Sequence, residues 1–332
     1  MDTRATDNAF AAFSRHVTVK PPNHVPVSNS TARAIAARHG LGDRTLTPLT
    51  EVGIINAVYL LGDDLVLRVP REHPAHIEQA RVEAVAAPVA RAAGVRTPVL
   101  VAYDDACDLL PVPYLIFDRV RGQALGSLDL EPVATADVWR ALGRDMALLH
   151  ACVGKDGPAG KLARGEVFPD PRELVEQRAA DGWFTSLEAR WLAAWMERLA
   201  PAAQAPAGEC FLHGDVQATN VIVSSEPLAY LAVLDWGCAR WGDPAWDFFA
   251  MPLRAVPFLL EGHREVAPIE GDETAEVRIL WRHLQLSMAI LPRGAAPNLA
   301  WGERPLAWLL EVLRFFLEPP RPRWKEWAPV AE

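Results

Sequence analysis

The stretch FLHGDVQATN, residues 211–220, decides the fold, together with LAVLDWG, residues 231–237. An apolar run leads into a His-Gly-Asp turn, an asparagine follows the aspartate by five residues, and a second aspartate closes the next apolar strand. Asp215 is the candidate base for a substrate hydroxyl, and Asn220 and Asp235 carry the hard oxygen atoms that Mg²⁺ prefers. Phosphoryl transfer requires such groups, because the attacking oxygen must be oriented while metal ions neutralise phosphate charge.

This spacing resembles the D-x-x-x-x-N of kinase catalytic loops followed by a D-x-G metal site. At these residues the chain is similar to the aminoglycoside phosphotransferase family, the small-molecule branch of the protein-kinase-like fold that also includes choline and macrolide kinases. HGD rather than HRD, and DWG rather than DFG, fit that branch. The metal aspartate is followed quickly by GDPAWDFF, residues 242–249, instead of a long segment ending in Ala-Pro-Glu.

The resemblance implies an α+β, bilobal, protein-kinase-like fold with an N-terminal lobe of antiparallel sheet and one main helix, and a larger, mostly helical C-terminal lobe. We expect residues 1–118 to form the nucleotide-binding lobe, with an N-terminal helical extension, and residues 119–332 to form the catalytic and substrate-binding lobe. The turn at residues 62–64 between apolar runs predicts a strand hairpin. Helical patterns over about residues 154–205 resemble the insertion with which small-molecule kinases shape their acceptor pocket.

Composition limits the partners and the compartment. The 332 residues are 50% hydrophobic, which is ample for a large core, and the net charge of −9 argues against nucleic acid and anionic membrane as partners. The four cysteines are scattered, and no apolar run approaches the roughly 20 residues of a membrane span. We therefore expect a cytoplasmic protein, and the sequence leaves open whether it is a monomer or a homodimer.

The phosphate-binding cation is predicted to be an arginine. No lysine occurs between Lys20 and Lys155, and Arg68 in VLRVPR stands where the family has its cation. A guanidinium binds phosphate bidentately and stays charged, whereas the alternative is an exposed strand charge. By resemblance, a glutamate on the next helix pairs with this cation, and Glu83 is favoured over Glu78. A solvated surface charge is the alternative for Glu83.

Two backbone segments are candidates for nucleotide binding. The loop before the hairpin can supply N–H groups to the ATP phosphates, with an ordinary β-turn as the alternative. Its residues are Gly53, Ile54, Ile55 and Asn56. PYLIFDRV, residues 113–120, resembles the hinge of the family, where adenine bonds to backbone groups of Asp118 and Val120. Because backbone groups give little base selectivity, ATP is expected and GTP is not excluded.

Other candidates support the catalytic loop or face the acceptor. His213 is predicted to buttress the loop by hydrogen bonding, and Asp247 to brace it. Asp243, in the same GDPAWD stretch, is either structural or substrate-facing. Trp183 in the insertion is a candidate for acceptor contact, although such aromatic residues are usually core. Glu270, in the acidic stretch 261–276, is a further candidate, with a solvated loop as its alternative.

The first functional hypothesis is a Mg²⁺-dependent kinase that moves the ATP γ-phosphate to a hydroxyl of a small molecule. The acceptor could be an aminoglycoside or another antibiotic, which would make resistance a possible role, or a sugar or amino alcohol. The second hypothesis is a nucleotide-binding pseudokinase acting as a regulatory or binding module. The missing lysine and the single-glycine loop favour this second hypothesis, whereas the intact Asp215, Asn220 and Asp235 favour catalysis.

Overall fold

The structure is a computed structural model that describes residues 24–49, 55–165, 168–297, 299, 301–318 and 322–330. Helix α1, Asn29–Arg38, opens the described part of the chain. The Ser28 hydroxyl caps its start by accepting the Thr31 N–H at 3.0 Å, and Ile35 lies on its buried face. Cap and apolar face together fix this helix against the first sheet.

Five strands form one antiparallel sheet in the spatial order β1-β2-β3-β5-β4. The strands are β1 Leu46–Pro48, β2 Asn56–Leu61, β3 Leu65–Pro70, β4 Leu100–Asp104 and β5 Tyr114–Asp118. Strands β2 and β3 form the predicted hairpin, and Gly62 at its turn has a φ of +70°, which glycine adopts without a steric penalty. Helix α2, Pro74–Ala92, follows the hairpin and buries a row of alanines, whose small side chains allow close packing.

The remainder of the chain is mostly helical. Its helices are α3 Ala136–Cys152, α4 Pro171–Ala180, α5 Ser186–Ala203, α6 Val256–Val266, α7 Ala275–Ile290 and α8 Ala307–Leu317. Two small sheets of short strands complete this region. One pairs β7 Cys210–Leu212 with β10 Arg240–Gly242. The other consists of β6 Gln123–Ala124, β8 Val221–Val223 and β9 Tyr230–Val233. Helix α7 is buried along almost its whole length and forms the centre of this region. Within the described ranges, no helix combines the length and the apolarity needed to cross a bilayer.

Helices α3 and α6 approach each other so closely that each needs a glycine at the crossing. A Cβ added to Gly143 of α3 would collide with the Leu259 carbonyl, and one added to Gly262 of α6 would collide with the Arg140 carbonyl. With only hydrogen atoms at the crossing, residues near the C-terminal ends of both helices can come into direct contact. This contact lies behind the catalytic loop.

Candidate active site

A cleft of about 580 Å³ lies between the five-stranded sheet and the segments that follow β7 and β9. Nine of the residues predicted for the site line it together. They are Ile55, Asn56, Arg68, Glu83, Asp118, Val120, Asp215, Asn220 and Asp235. Apolar side chains of β2, β3 and β5 form the sheet side of the cleft, including Val58, Val66 and Phe117. Residues as far apart in sequence as Ile55 and Asp235 therefore meet in one cavity.

The remaining predicted residues divide into three groups. Gly53 and Ile54 lie outside the described residues. His213 and Asp247 lie behind the cleft, where they contact the catalytic loop. The three candidates for acceptor contact are not part of the cleft lining; they are Asp243, Trp183 and Glu270.

The catalytic loop begins where β7 ends. Gly214 has a φ of +81°, and a Cβ there would collide with the Cys238 carbonyl, so the turn requires glycine. This turn directs Asp215 into the cleft. The Asn220 side chain then closes the loop by donating from Nδ2 to the Asp215 backbone carbonyl at 2.9 Å. Both members of the sequence motif are thus fixed by the same turn.

The two carboxylate oxygens of Asp215 differ in their surroundings. Oδ2 accepts hydrogen bonds from Gln217 Nε2 at 2.9 Å and from Asn220 Nδ2 at 3.3 Å. Oδ1 is buried and has no hydrogen-bond partner among the described residues. Burial, and then the negative charge of Asp235, raise the pKa of Asp215 to about 7. The carboxylate is therefore held at Oδ2, whereas Oδ1 keeps an unused acceptor position, as a candidate general base requires.

Gln217 was not among the residues predicted for the site. Its Nε2 group orients the Asp215 carboxylate from two residues further along the chain. A polar side chain at that spacing within a catalytic loop is the signal that could have indicated it. Its neighbours Val216, which is buried, and Ala218 could not have served.

Asp235 lies at the end of the hairpin formed by β8 and β9, in a left-handed backbone conformation with a φ of +68°. Aspartate is among the few residues other than glycine that adopt this conformation with some frequency. Its Oδ1 receives Arg68 Nη2 at 3.0 Å, and its side chain is 37% exposed. Asp235 is therefore anchored on one side and accessible on the other.

The described residues contain no cluster of three or more His, Cys, Asp or Glu side chains that could hold a metal by themselves. Asn220 and Asp235 nevertheless fit Mg²⁺, because this ion commonly takes one or two protein oxygens and completes its octahedron with water and substrate phosphates. Asn220 uses its Nδ2 for the loop, which leaves its amide oxygen as a potential ligand. The donor set is thus suited to a metal that arrives with a nucleotide.

Arg68 connects the sheet, helix α2 and the metal-side loop. Its Nη1 lies 2.5 Å from Glu83 Oε1, and Glu83 is buried. Burial raises the pKa of Glu83, and the Arg68 charge opposes that rise. The competing candidate Glu78 is exposed and instead pairs with Arg81 on its own helix. The structure thus places Glu83, and not Glu78, beside the predicted phosphate cation.

The hinge segment follows β5. The Asp118 N–H donates to the Val99 carbonyl at 3.0 Å, and the Asp118 carboxylate accepts the Val99 N–H in return. The Asp118 N–H is therefore already hydrogen-bonded, and the Asp118 carbonyl is the backbone group that can accept a hydrogen bond from a nucleobase. The backbone of Val120 makes no hydrogen bond to any other residue in the described ranges.

Asp247 and His213 hold the catalytic loop from behind. The Asp247 carboxylate is fully buried and accepts the His213 N–H at 2.9 Å and the Gly214 N–H at 2.7 Å. His213 Nε2 lies 2.9 Å from the Leu234 carbonyl, just before Asp235. The two halves of the motif are consequently joined by side chains that do not line the cleft.

Fold and cleft together define the class of protein. An antiparallel sheet facing a helical region, with a cation–glutamate pair on one side of the cleft and two aspartates and an asparagine on the other, is typical of kinases, although the cation there is usually a lysine and here is Arg68. The chain matches the model of the phosphotransferase enzyme family over residues 45–278, and it belongs to that family. The predicted family and the predicted enzyme class, a phosphotransferase, are thereby confirmed.

Solved structures extend the likeness to the whole fold. Wild-type aminoglycoside 2′-phosphotransferase-IIIa in complex with GDP is 15% identical with a TM-score of 0.59, covering 84% of this chain and 95% of its own. Macrolide 2′-phosphotransferase from Brachybacterium faecium is 23% identical with a TM-score of 0.58, covering 89% and 99%. Spectinomycin phosphotransferase in complex with ADP and spectinomycin is 13% identical with a TM-score of 0.56, covering 90% and 96%. Comparison with curated proteins found no match. The structural likeness confirms the predicted α+β, kinase-like fold.

Proposed function

We propose that this protein is a Mg²⁺-dependent kinase that transfers the γ-phosphate of ATP to a hydroxyl group of a small molecule. One observation carries this proposal. Asp215 has a buried carboxylate oxygen without a partner in the described ranges, in the same cleft as Arg68, Asn220 and Asp235, the predicted phosphate cation and metal ligands. An acceptor hydroxyl, a nucleotide and a metal ion can be bound side by side only where a base, a phosphate-binding cation and metal ligands lie in one cleft.

Each residue has a distinct role in this proposal. Asp215 Oδ1 accepts the proton of the acceptor hydroxyl and aligns its oxygen for attack, while Gln217 keeps the carboxylate oriented. Asn220 and Asp235 hold Mg²⁺, whose charge offsets that of the phosphates. Arg68, supported by Glu83, holds the phosphates on the sheet side.

The nucleobase side of the cleft offers little selectivity between adenine and guanine. Asp118 and Val120 offer backbone groups to a purine, in a hinge where we place the boundary between the lobes 1–118 and 119–332. Among the solved structures similar to this chain, some contain GDP, others ADP, and a ternary complex contains ATP. We propose ATP as the donor and include GTP in the tests.

The acceptor is proposed from charge as well as from likeness. Four of the six carboxylates of the acidic stretch form ion pairs with arginines, and Glu270 and Glu273 form no such pair in the described structure. The pairs are Glu261–Arg140, Glu265–Arg144, Asp272–Arg264 and Glu276–Arg264. Asp243 likewise pairs with Arg278, whose side chain is fully buried. A polycation would have to displace these arginines, so we favour hydroxylated acceptors of low positive charge, such as macrolides, over polycationic aminoglycosides.

One observation favours a second function, a nucleotide-binding pseudokinase. Arg68 replaces the usual lysine and holds Asp235, the proposed metal ligand, in an ion pair. If the Arg68–Asp235 ion pair persisted when nucleotide was bound, the protein would bind nucleotide without transferring its phosphate.

The deciding experiment measures ADP or GDP release with Mg-ATP or Mg-GTP across macrolides, aminoglycosides, spectinomycin, sugars and amino alcohols. Asp215→Asn is the matched control, because it keeps the shape and the Gln217 contact but loses the base. Acceptor-dependent release that disappears in the control supports the kinase. Tight nucleotide binding with no release for any acceptor supports the pseudokinase, and full activity of Asp215→Asn removes Asp215 from the mechanism.

A further inference from the structure

A buried chain of hydrogen bonds runs from the C-terminal end of α6 to the catalytic loop. The Ala267 carbonyl lies 3.0 Å from His263 Nδ1, and His263 Nε2 lies 3.1 Å from His150 Nδ1. His150 Nε2 in turn lies 3.0 Å from Asp247 Oδ2. His263 is 1% exposed and the side chain of His150 6% exposed, so water does not complete these contacts from outside.

The protons in this chain can be counted. A carbonyl oxygen at one end and a carboxylate at the other can only accept, so three hydrogen bonds need three protons from the two imidazole rings between them. Two neutral imidazoles carry one N–H each and therefore supply only two. If all three hydrogen bonds are formed, the pair of histidines carries one additional proton.

The third proton has three possible locations, Asp247, His263 and His150, and the surroundings disfavour the first two. Asp247 accepts two backbone N–H groups, and although burial acts against ionisation, His150 and these bonds hold its pKa below the usual range. Burial, and then the charge of His150, lower the pKa of His263 to about 3. The remaining ring, His150, is also the one in contact with the carboxylate.

We propose that His150 is a buried imidazolium held between His263 and Asp247, and that His263 is thereby a positioning residue of the catalytic loop. The functional half of this proposal rests on the proposed kinase function. The cation keeps Asp247 ionised, and the Asp247 oxygens fix the two backbone N–H groups immediately before Asp215. His263 acts on the base only through this chain and touches neither nucleotide nor acceptor.

The close crossing of α3 and α6 makes the contact possible. Gly143 and Gly262 allow the helices to meet, and the rings of His150 and His263 lie with centroids 5.2 Å apart. The other titratable or charged groups facing this chain are His213, Cys210, Arg264 and Asp272. None of them is hydrogen-bonded to the ring nitrogens of the pair in the described structure.

His283 provides an internal comparison. Its Nδ1 lies 2.9 Å from the Ile279 carbonyl and its Nε2 3.1 Å from the Met251 carbonyl, so it too is placed between two acceptors. It makes no hydrogen bond or ion pair to a carboxylate among the described residues, and burial lowers its pKa against the opposing charge of Glu311. We expect His283 to remain neutral, so that only one of its two carbonyl contacts is a true hydrogen bond. The comparison separates the effect of a hydrogen-bonded carboxylate, which only His150 has, from the effect of lying between two acceptors.

The direct test is ¹⁵N NMR of the histidine ring nitrogens in the full-length protein at neutral pH, with signals assigned from His150→Gln and His283→Gln variants. Both nitrogens of His150 should report attached protons, whereas His283 should report one bare nitrogen. A bare ring nitrogen on His150 would overturn the proposal. This readout does not depend on turnover, so it stands or fails separately from the kinase function.

Two variants test the role of His263. His263→Leu removes the acceptor for His150 Nδ1, and His150 should become neutral while kcat falls roughly 10-fold and the nucleotide KM stays within about 2-fold. His263→Gln retains an acceptor oxygen near the Nε2 position and should restore both the His150 protonation and kcat. A doubly protonated His150 with an unchanged kcat in His263→Leu would exclude His263 as a positioning residue, as would a loss of kcat that His263→Gln does not restore.

Discussion

Two carboxylates flank the catalytic loop, and their surroundings are opposite. Asp247 is fully buried, and both of its oxygens have fixed partners in the backbone and in His150. Asp235 is 37% exposed, and among the described residues its side chain is hydrogen-bonded to a single cation, Arg68. The first arrangement leaves no room for a new ligand, whereas the second can exchange a guanidinium for a metal ion.

This difference shows how one motif can be both rigid and responsive. Backbone N–H groups bound to a buried anion cannot move without exposing unpaired polar groups, which is costly. The Arg68–Asp235 pair is only partly buried, so solvent reaches its aspartate and the pair is more easily replaced than the bonds of Asp247. We infer that the base is held by a permanent support and that the metal side rearranges when the nucleotide arrives. The following predictions test that division.

The largest effect is expected at the permanent support. Asp247→Asn removes the charge that faces His150 and one acceptor for the loop, and the free energy of unfolding should fall by about 3–5 kcal/mol. Denaturant unfolding followed by tryptophan fluorescence measures this change. Asp137→Asn is the control, because Asp137 is an exposed carboxylate paired with Arg140, and its unfolding curve should not move. An unchanged midpoint for Asp247→Asn would contradict the support role.

Asp235→Asn should affect activity without affecting the fold. The variant keeps the side-chain shape but loses a metal ligand, so turnover at saturating nucleotide should fall roughly 10²–10³-fold. Its unfolding midpoint should match that of the unmodified protein, in contrast to Asp247→Asn. Titration with Mg²⁺ provides the measurement, since a weakened site requires more metal. Near-normal turnover at low Mg²⁺ would remove Asp235 from the metal site.

Substitutions of Arg68 should give graded losses in nucleotide binding. Arg68→Lys keeps the charge but cannot bridge Glu83 and Asp235 with a planar fork, and Kd for the nucleotide should rise roughly 10-fold. Arg68→Ala should raise it roughly 100-fold, because the buried Glu83 is also left without its cation. Calorimetric titration measures both. If the lysine variant binds more tightly, the arginine is not an adapted phosphate ligand.

The smallest effect concerns pH and metal together. Asp215 must be ionised to act as a base, and burial and the Asp235 charge raise its pKa to about 7. Activity should therefore fall as the pH falls through this range. Mg²⁺ beside Asp235 offsets the negative charge, so the acid limb of kcat/KM should move to lower pH by about one unit as Mg²⁺ rises. An acid limb that does not respond to Mg²⁺ would separate Asp215 from the metal site.

The sequence predicted those parts of the site that depend on short spacing. Asp215 and Asn220 lie on one turn, and Asp235 closes the adjacent hairpin, so their order along the chain almost determines their proximity. Arg68 and Glu83 belong to a strand and the helix that follows it, and the family pattern relates them. These residues do meet in one cleft.

Other parts could not be predicted, because they depend on long-range packing. His150 and His263 are 113 residues apart and meet only through a glycine crossing of two helices. Asp243, which caps a short 3₁₀ turn, faces Arg278 of helix α7, and no local pattern shows that its charge is neutralised. The position of Gln217 in the catalytic loop could be read from the sequence. Its hydrogen bond to Asp215 could not, because that depends on the direction in which its side chain points.

The arginine in the cleft has a consequence for chemical proteomics. Nucleotide analogues that report kinases by acylating a lysine beside the phosphates need a primary amine, and the chain has none between residues 21 and 154. The described lining of the cleft contains Arg68 and Arg119 and no lysine. Surveys based on amine capture would therefore pass over this protein. A dicarbonyl reagent selective for guanidinium groups, with nucleotide as the protecting ligand, would label it at Arg68.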